Sequence, residues 1–210
     1  MESSRAAVPN TQHSTLNSQL ILRSRVVLPI RRPALADGAV VVSGKRIRAV
    51  GRWDAIHKEF PRLPVQDLGD VALLPGLINA HCHLEYTDLA GEFLPPRHFS
   101  DWLKLIVTAK GLRSNDEFAA AWQRGADQLL HTGTTTVADI VALTEIQPQP
   151  TPLRIFSFLE MTGVKSKQPP AQIVATATAR IKSLRTKGQL AGFSPHAPYS
   201  TTSELLRRTA

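Results

Sequence analysis

The sequence predicts an α/β protein in which parallel strands alternate with helices, preceded by a small β region. Residues 19–74 hold short β-branched runs that are separated by Pro, Asp-Gly and Ser-Gly-Lys turns. After Leu74, apolar runs of strand length alternate with segments of helical periodicity, which is the pattern of βαβ units. Hydrophobic residues make up 42% of the 210 residues and charged residues 20%, which excludes a disordered chain.

The first part of the chain divides into a tail and a β region. Residues 1–15 are polar and aperiodic, so we expect a flexible tail. Residues 16–74 form the predicted β region, with strands at LILRSRVVL, GAVVVSG and RIRAVGRW. One short helical turn is expected from Asp54 to Phe60, before Pro61.

Residues 75–210 are predicted to contain four strands, of which the first is expected to be buried. The strands are LLPGLINA, TTTVADI, LRIFSFLE and LAGFS. Because they alternate with helices, we expect them to pair in parallel.

The helices between these strands have recognisable start signals. Ser100 is expected to cap a helix through DWLKLIVTAKGL, and the Ser114–Glu117 pair has capping-box spacing ahead of FAAAWQRGADQLL. Pro169-Pro170 is expected to open a third helix. Thr201, with Glu204, is expected to cap a fourth.

Each predicted strand of the second region ends at a side chain that can titrate or ligate. The first strand runs into His81 and His83, the second ends at Asp139, the third at Glu160 and the fourth at His196. The carboxyl ends of parallel strands meet at one edge, which in an α/β barrel carries the active site. Singly each could be a capping or loop residue, but together they favour a site.

His81 and His83 are candidate metal ligands. In extended chain, residues i and i+2 point to the same side, so the two imidazoles can converge on one ion while Cys82 points away. Imidazole suits zinc and other late first-row divalent metals. A His-x-His pair alone is a weak signal, and its position at the end of a strand after Pro-Gly strengthens it.

Charge and cysteine content exclude several function classes. The net charge of +8 is spread along the chain rather than gathered into one arm, so we do not expect nucleic-acid binding. No apolar run approaches the roughly 20 residues of a membrane span, and the N-terminus lacks the apolar stretch of a secretory signal. A single cysteine is consistent with a reducing compartment, and we expect a cytoplasmic protein without a membrane partner.

Two motifs resemble a known family. PGLINAHCHLEYTDLAG resembles the start of the barrel in the amidohydrolase superfamily, and SPHAPYSTTSELL resembles the fourth-strand segment of its cytosine deaminase and chlorohydrolase-like branch. That branch includes aminofutalosine and adenosylhomocysteine deaminases, and GTTTVADI fits its second strand. The resemblance implies the N-terminal half of a TIM-type (β/α)8 barrel, with strands 1–4 in residues 75–210, preceded by part of a small β-sandwich domain in residues 16–74.

The resemblance also implies roles for individual residues. His81 and His83 match the first two ligands of one divalent metal ion, with zinc expected and iron as the alternative. His196 matches a histidine that contacts the substrate, with a histidine held by the start of the following helix as the alternative. Glu85 is a candidate pocket residue, with a salt bridge or a cap as the equal alternative. For Asp139 and Glu160 we expect a hydrogen bond that orients a loop, and Glu160 is also a candidate substrate-binding residue.

The implied reaction is hydrolysis of a carbon–nitrogen bond other than a peptide bond. Metal-activated water attacks an sp² carbon of a small molecule and displaces an amino group, most simply from an aminopurine-type substrate. Chlorohydrolase or cyclic amidase activity would use the same chemistry. An alternative from another class is a non-catalytic, degenerate half-barrel that serves binding or assembly, and homo-oligomer formation is compatible with either.

The chain lacks part of what this family requires. The family supplies another His at the end of the fifth strand, a proton-shuttling Glu three residues later and an Asp at the end of the eighth strand, but this chain contains no His-x-x-Glu. Residues 75–210 are about half of the roughly 250 residues of a complete barrel. We therefore expect an N-terminal fragment of a longer amidohydrolase, inactive or poorly folded alone.

Overall fold

The structure is a computed structural model that describes residues 19–142 and 150–210. The chain divides into two compact units between Pro75 and Gly76. The tail predicted for residues 1–15 lies outside the described residues. Within the described ranges, no helix is long and apolar enough to cross a lipid bilayer.

The described part of the first unit, residues 19–75, contains one five-stranded sheet and one short helix. Strand β1 pairs antiparallel with β2 and parallel with β4 and β5, and β2 also pairs antiparallel with β3. Helix α1 packs Ile56 against Ile21 and Val41 of the sheet, and all three are buried. The bounds are β1 Gln19–Val27, β2 Leu35–Ser43, β3 Arg46–Arg52, α1 Trp53–Glu59, β4 Val65–Asp67 and β5 Ala72–Leu73.

The second unit is α/β, as predicted. Its four strands form one parallel sheet in the order β6-β7-β8-β9, so consecutive strands are neighbours. A 3-10 helix and four α-helices connect or follow them. The bounds are β6 Leu77–Cys82, the 3-10 helix Leu84–Leu89, α2 Phe99–Leu112, α3 Asn115–His131, β7 Thr134–Val141, β8 Arg154–Met161, α4 Pro170–Thr186, β9 Leu190–Pro195 and α5 Ser203–Thr209.

Two apolar clusters hold helices on this sheet. One packs α4 against β8 through Ile173, Ala177, Ile181, Leu159 and Met161. The second joins Trp122 and Ala126 of α3 to Val137 of β7. Burial of such side chains stabilises the packing by about 1.5–3 kcal/mol for each large residue.

Some helix starts match the sequence signals and others do not. The Ser114 hydroxyl accepts from the Glu117 backbone N–H, and the Glu117 carboxylate accepts from Ser114 N, so the predicted capping box is confirmed. The prediction for Ser100 is wrong, because α2 begins at Phe99 after His98, which makes no side-chain cap. The prediction that Thr201 caps the fourth helix is also wrong, because the cap of α5 is Thr202, whose hydroxyl accepts from the backbone N–H of Leu205.

The expectation that the first strand of the second unit is buried is wrong. Leu77 is 50% exposed and Ile78 is 72% exposed. Strand β6 lies at the edge of the four-stranded sheet, and no other described strand pairs with its free side. Helix α2 has no buried residue, and its Trp102 is 41% exposed.

Candidate metal and substrate site

The parallel register brings the predicted site residues to one edge of the sheet. Cys82 of β6 is opposite Asp139 of β7, and Glu160 of β8 is opposite Ser194 of β9. His196 follows β9 directly, and its backbone N–H donates to the carbonyl oxygen of Met161 at 3.0 Å. The four strands therefore present their last side chains along the same edge.

His81, in β6, and His83, directly after β6, lie side by side. The ring centroids of His81 and His83 are 5.4 Å apart, with an angle of 72° between the ring planes. His81 is exposed and His83 is half-buried. The backbone leaves the regular strand geometry at His83, which has φ −122° and ψ 83°, and the two rings are nevertheless adjacent.

The surroundings of His83 favour the neutral imidazole. Burial lowers the pKa of His83 below its ordinary value, although the charge of Glu160 acts in the opposite direction. The ring stacks on Tyr86, with centroids 5.2 Å apart. Nδ1 of His83 is buried and has no hydrogen-bond partner among the described residues. Neutral imidazole is the form of histidine that ligates metal ions.

These residues fit part of a metal site. Within residues 19–142 and 150–210, no group of three or more His, Cys, Asp or Glu side chains is placed to hold a metal ion. The adjacent imidazoles, one of them neutral and with an unpartnered buried nitrogen, provide two donors of the type that zinc prefers. A catalytic zinc usually has three protein ligands, so the pair is compatible with two of them.

Asp139 has a structural role at this edge. Its carboxylate is fully buried and accepts hydrogen bonds from the backbone N–H of Leu84, at 3.0 Å, and from Nε1 of Trp122, at 2.7 Å. Burial raises the pKa of Asp139 to about 6, although both hydrogen bonds act to lower it. Asp139 thus ties the residue after His83 to helix α3.

The 3-10 helix that follows His83 packs closely on α3. Gly125 of α3 faces Leu84 and Thr87, and the absence of a side chain permits this approach. Near the C-terminal end of the 3-10 helix, the carboxylate of Asp88 accepts a bidentate hydrogen bond from the guanidinium group of Arg124 in α3. This segment also contains Glu85, so its position on α3 determines where Glu85 lies.

Substitution at Gly125 tests this close approach. In Gly125→Ala, the added methyl group would clash with Oγ1 of Thr87 and lie 3.3 Å from the carbonyl oxygen of Leu84. We expect a loss of about 1–3 kcal/mol in the free energy of unfolding, measured by urea denaturation. Gly111→Ala is the matched control, because nothing lies within 4 Å of its added methyl group and alanine favours a helix by about 1 kcal/mol.

The test depends on the two substitutions changing the free energy of unfolding in opposite directions, with a loss at Gly125 and a gain at Gly111. The double substitution Thr87→Ala with Gly125→Ala should recover most of the loss, since it removes the atom that the methyl group meets first. Equal and favourable effects at both glycines would contradict the close packing of the 3-10 helix on α3.

Glu85 is buried, and no salt bridge to it is present among the described residues. It is 2% exposed, Oε1 accepts from the backbone N–H of Ala142 at 3.4 Å, and Oε2 has no described partner. Burial raises the pKa of Glu85, whereas the neighbouring hydroxyl group of Tyr86 and the charge of Lys110 lower it, and the charge of Glu160 raises it slightly. An unpartnered buried carboxylate oxygen is costly, and a polar group that reached it would be held firmly.

His196 and Glu160 form the second pair at this edge. Nε2 of His196 lies 3.6 Å from Oε1 of Glu160, while Nδ1 lies 2.6 Å from the hydroxyl oxygen of Ser200. Both side chains are partly exposed. Sequence reasoning missed Ser200, although its position four residues after His196 in a turn-forming segment was the available signal.

Sequence reasoning also missed an aromatic cluster beside His196. The ring of Tyr199 meets His196 edge-to-face, with centroids 5.7 Å apart, and meets Phe99 in the same way at 5.6 Å. Phe99 in turn stacks on Trp102 at 5.6 Å. No local pattern signals this cluster, because Phe99 and Trp102 of α2 are far from Tyr199 in sequence.

Known proteins resemble the chain in sequence. The model of the amidohydrolase family matches residues 72–210. The chain is 28% identical over 180 residues to the aminodeoxyfutalosine deaminase of Deinococcus radiodurans, which covers 83% of this chain and 41% of that protein. It is 35% identical over 113 residues to the 5-methylthioadenosine/S-adenosylhomocysteine deaminase of Nitratidesulfovibrio vulgaris, which covers 52% of this chain and 25% of that protein.

A solved structure resembles the fold. The crystal structure of aminofutalosine deaminase from Helicobacter pylori in complex with methylthio-coformycin superposes with a TM-score of 0.72 and 25% sequence identity. The match covers 90% of this chain and 47% of that one. The chain thus spans less than half the length of each of these relatives.

Proposed function

The chain belongs to the amidohydrolase family, and we propose that it forms the metal-binding part of a hydrolytic deaminase. The observation that carries this proposal is the convergence of His81 and His83 with Glu160 and His196 at the carboxyl edge of one parallel sheet. In this proposal residues 75–210 contribute strands 1–4 of a TIM-type (β/α)8 barrel. Residues 16–74 contribute part of a β-sandwich domain.

His81 and His83 are proposed as the first two ligands of one divalent metal ion. Zinc is the expected metal and iron is the alternative, since imidazole suits both. When bound, such an ion lowers the pKa of coordinated water to about 7 and so supplies a nucleophile at neutral pH. The neutral state of His83 and its stacking on Tyr86 would keep a donor nitrogen ready and the ring fixed.

Glu160 and His196 are proposed to face the substrate. The 3.6 Å between Oε1 and Nε2 exceeds a direct hydrogen bond, so both groups remain available to a polar molecule. A carboxylate accepts from an amino group, and an imidazole N–H donates to a ring nitrogen. This combination suits an aminopurine, and one of the named relatives is a 5-methylthioadenosine/S-adenosylhomocysteine deaminase. Glu85, buried with an unpartnered Oε2, is proposed as a further substrate-binding residue.

A cytoplasmic location and homo-oligomer formation remain predictions. Chlorohydrolase or cyclic amidase activity would place the same residues around the same metal ion. The named relatives are all deaminases, which does not favour the non-catalytic binding protein.

The test is metal-dependent release of ammonia. The gene is read beyond codon 210 in all frames, and the chain and any extended product are assayed with 5-methylthioadenosine, S-adenosylhomocysteine and aminodeoxyfutalosine. We expect the extended product to contain a His-x-x-Glu and a later Asp, to lose activity on chelation and to regain it with Zn²⁺. An extension without these residues, or a metal-loaded product that releases no ammonia, would contradict the proposal.

A further inference from the structure

The two ring nitrogens of His196 face different partners. Nδ1 lies 2.6 Å from Oγ of Ser200, within hydrogen-bond distance, whereas Nε2 faces Oε1 of Glu160 at 3.6 Å. The proton that a neutral imidazole carries can occupy either nitrogen, and the stronger hydrogen bond decides which one. Ser200 is therefore placed to determine which ring nitrogen of His196 carries the proton.

Ser200 is itself held in place by its backbone. Its carbonyl oxygen accepts from the backbone N–H groups of Gly163, at 2.8 Å, and Val164, at 3.0 Å, which follow β8. Its own N–H donates to the carbonyl oxygen of Ala197 at 2.9 Å. These three bonds fix the Cα position of Ser200. Because the backbone is already ordered, the hydroxyl group can reach Nδ1 of His196 by rotation of the side chain alone.

The surrounding bonds determine where the Ser200 proton goes. The carbonyl oxygen of Ala197 already accepts two backbone N–H groups at 2.9 Å, from Ser200 and Thr201, which occupy both of its lone pairs. The backbone N–H of Ala197 donates to Oγ of Ser200 at 3.3 Å. The hydroxyl proton is thus best placed on the 2.6 Å contact to Nδ1 rather than on the 3.2 Å contact to the carbonyl of Ala197.

We propose that Ser200 is a positioning residue that donates to Nδ1 of His196 and so keeps the neutral ring protonated on Nε2. The Nε2–H then points toward the carboxylate of Glu160. The pair offers one donor and one acceptor side by side, which matches a ring nitrogen next to an amino group. This inference deepens the proposed function and rests on it for the role of His196, but the hydrogen bond itself can be measured without metal or substrate.

The test is the nitrogen spectrum of the His196 ring. The full chain, with ¹⁵N-labelled histidine, is measured about two pH units above the ordinary imidazole pKa, and His196→Gln assigns the signals. We expect Nδ1 of His196 unprotonated and shifted upfield of a free unprotonated nitrogen, and Nε2 protonated. In Ser200→Ala, loss of the hydrogen bond frees Nδ1 and allows the proton to exchange between the two ring nitrogens, so the Nδ1 signal should leave this position, and Ser200→Thr should restore it.

The matched control is a nearby serine whose hydroxyl does not contact His196. Ser203→Ala removes an exposed hydroxyl nearby at the start of α5 and should leave the His196 signals unchanged. Protonated Nδ1 in the unsubstituted chain, or a Nδ1 signal already at the free position, would overturn the proposal without any variant. Failure of the metal-loaded extended product to release ammonia, with these nitrogen signals intact, would count against the proposed function and not against this hydrogen bond.

Discussion

The His83→Asn variant is expected to bind Zn²⁺ at least about 100-fold more weakly than the unsubstituted chain. Loss of a residue that only supports a metal ligand typically weakens affinity 10–100-fold, so loss of a ligand should reach or exceed the upper end. Asparagine removes the imidazole nitrogen that burial keeps neutral. Isothermal titration calorimetry of the chain with Zn²⁺ measures the affinity and the stoichiometry.

The comparison needs a histidine that lies away from this edge. His131 is exposed at the end of α3, so His131→Asn should leave the affinity within about twofold. His81→Asn should weaken binding as His83→Asn does, because the two rings are adjacent. Equal affinities for the unsubstituted chain and His83→Asn would show that the metal binds elsewhere.

The Trp122→Phe variant is expected to lower the free energy of unfolding by about 2–4 kcal/mol at pH 8. Trp122 is 4% exposed, and its Nε1–H donates to the buried carboxylate of Asp139 at 2.7 Å. A hydrogen bond to a charged group contributes about 1.5–3 kcal/mol, and the smaller ring leaves additional unfilled space. Urea denaturation of the chain measures the change.

The pH dependence separates the hydrogen bond from the lost volume. The pKa of Asp139 is raised to about 6 in the folded chain, above its ordinary value near 3.9 when unfolded. The contribution of Asp139 to stability is therefore complete below about pH 4 and is lost as the pH rises through 6, by up to about 3 kcal/mol. Trp122→Phe removes a donor that lowers this pKa, so the pH-dependent loss should grow.

The expected result is a larger effect of Trp122→Phe at pH 8 than at pH 5, by about 1–2 kcal/mol. The volume effect is the same at both pH values. Trp102→Phe is the matched control, since Trp102 is 41% exposed, and its effect should stay within about 0.5 kcal/mol. A Trp122→Phe effect that does not change with pH would show that the bond to Asp139 contributes little.

The sequence predicted the strands and their ends because both depend on short-range patterns. Apolar and β-branched runs identify strands, and parallel pairing then places Asp139, Glu160 and His196 at the same edge without further information. The Ser114–Glu117 capping box was likewise local and is confirmed. These features needed no knowledge of distant contacts.

The sequence-based predictions were wrong where two neighbouring residues could both cap a helix, and incomplete where residues distant in sequence come into contact. Thr201 and Thr202 can both cap a helix, and spacing alone does not choose between them. An apolar run such as that of β6 suggests burial on both faces, but burial depends on which elements lie alongside. The contact of Phe99 with Tyr199 joins residues that are far apart in sequence, so no local pattern could predict it.

The most direct test of the account is a crystal of the chain soaked in Zn²⁺, with anomalous diffraction recorded at the zinc absorption edge. The account predicts one strong peak between the imidazole rings of His81 and His83, at the carboxyl edge of the parallel sheet. Absence of a peak there under conditions that fill other sites, or a peak only at His57, His98 or His131, would contradict the proposed metal site.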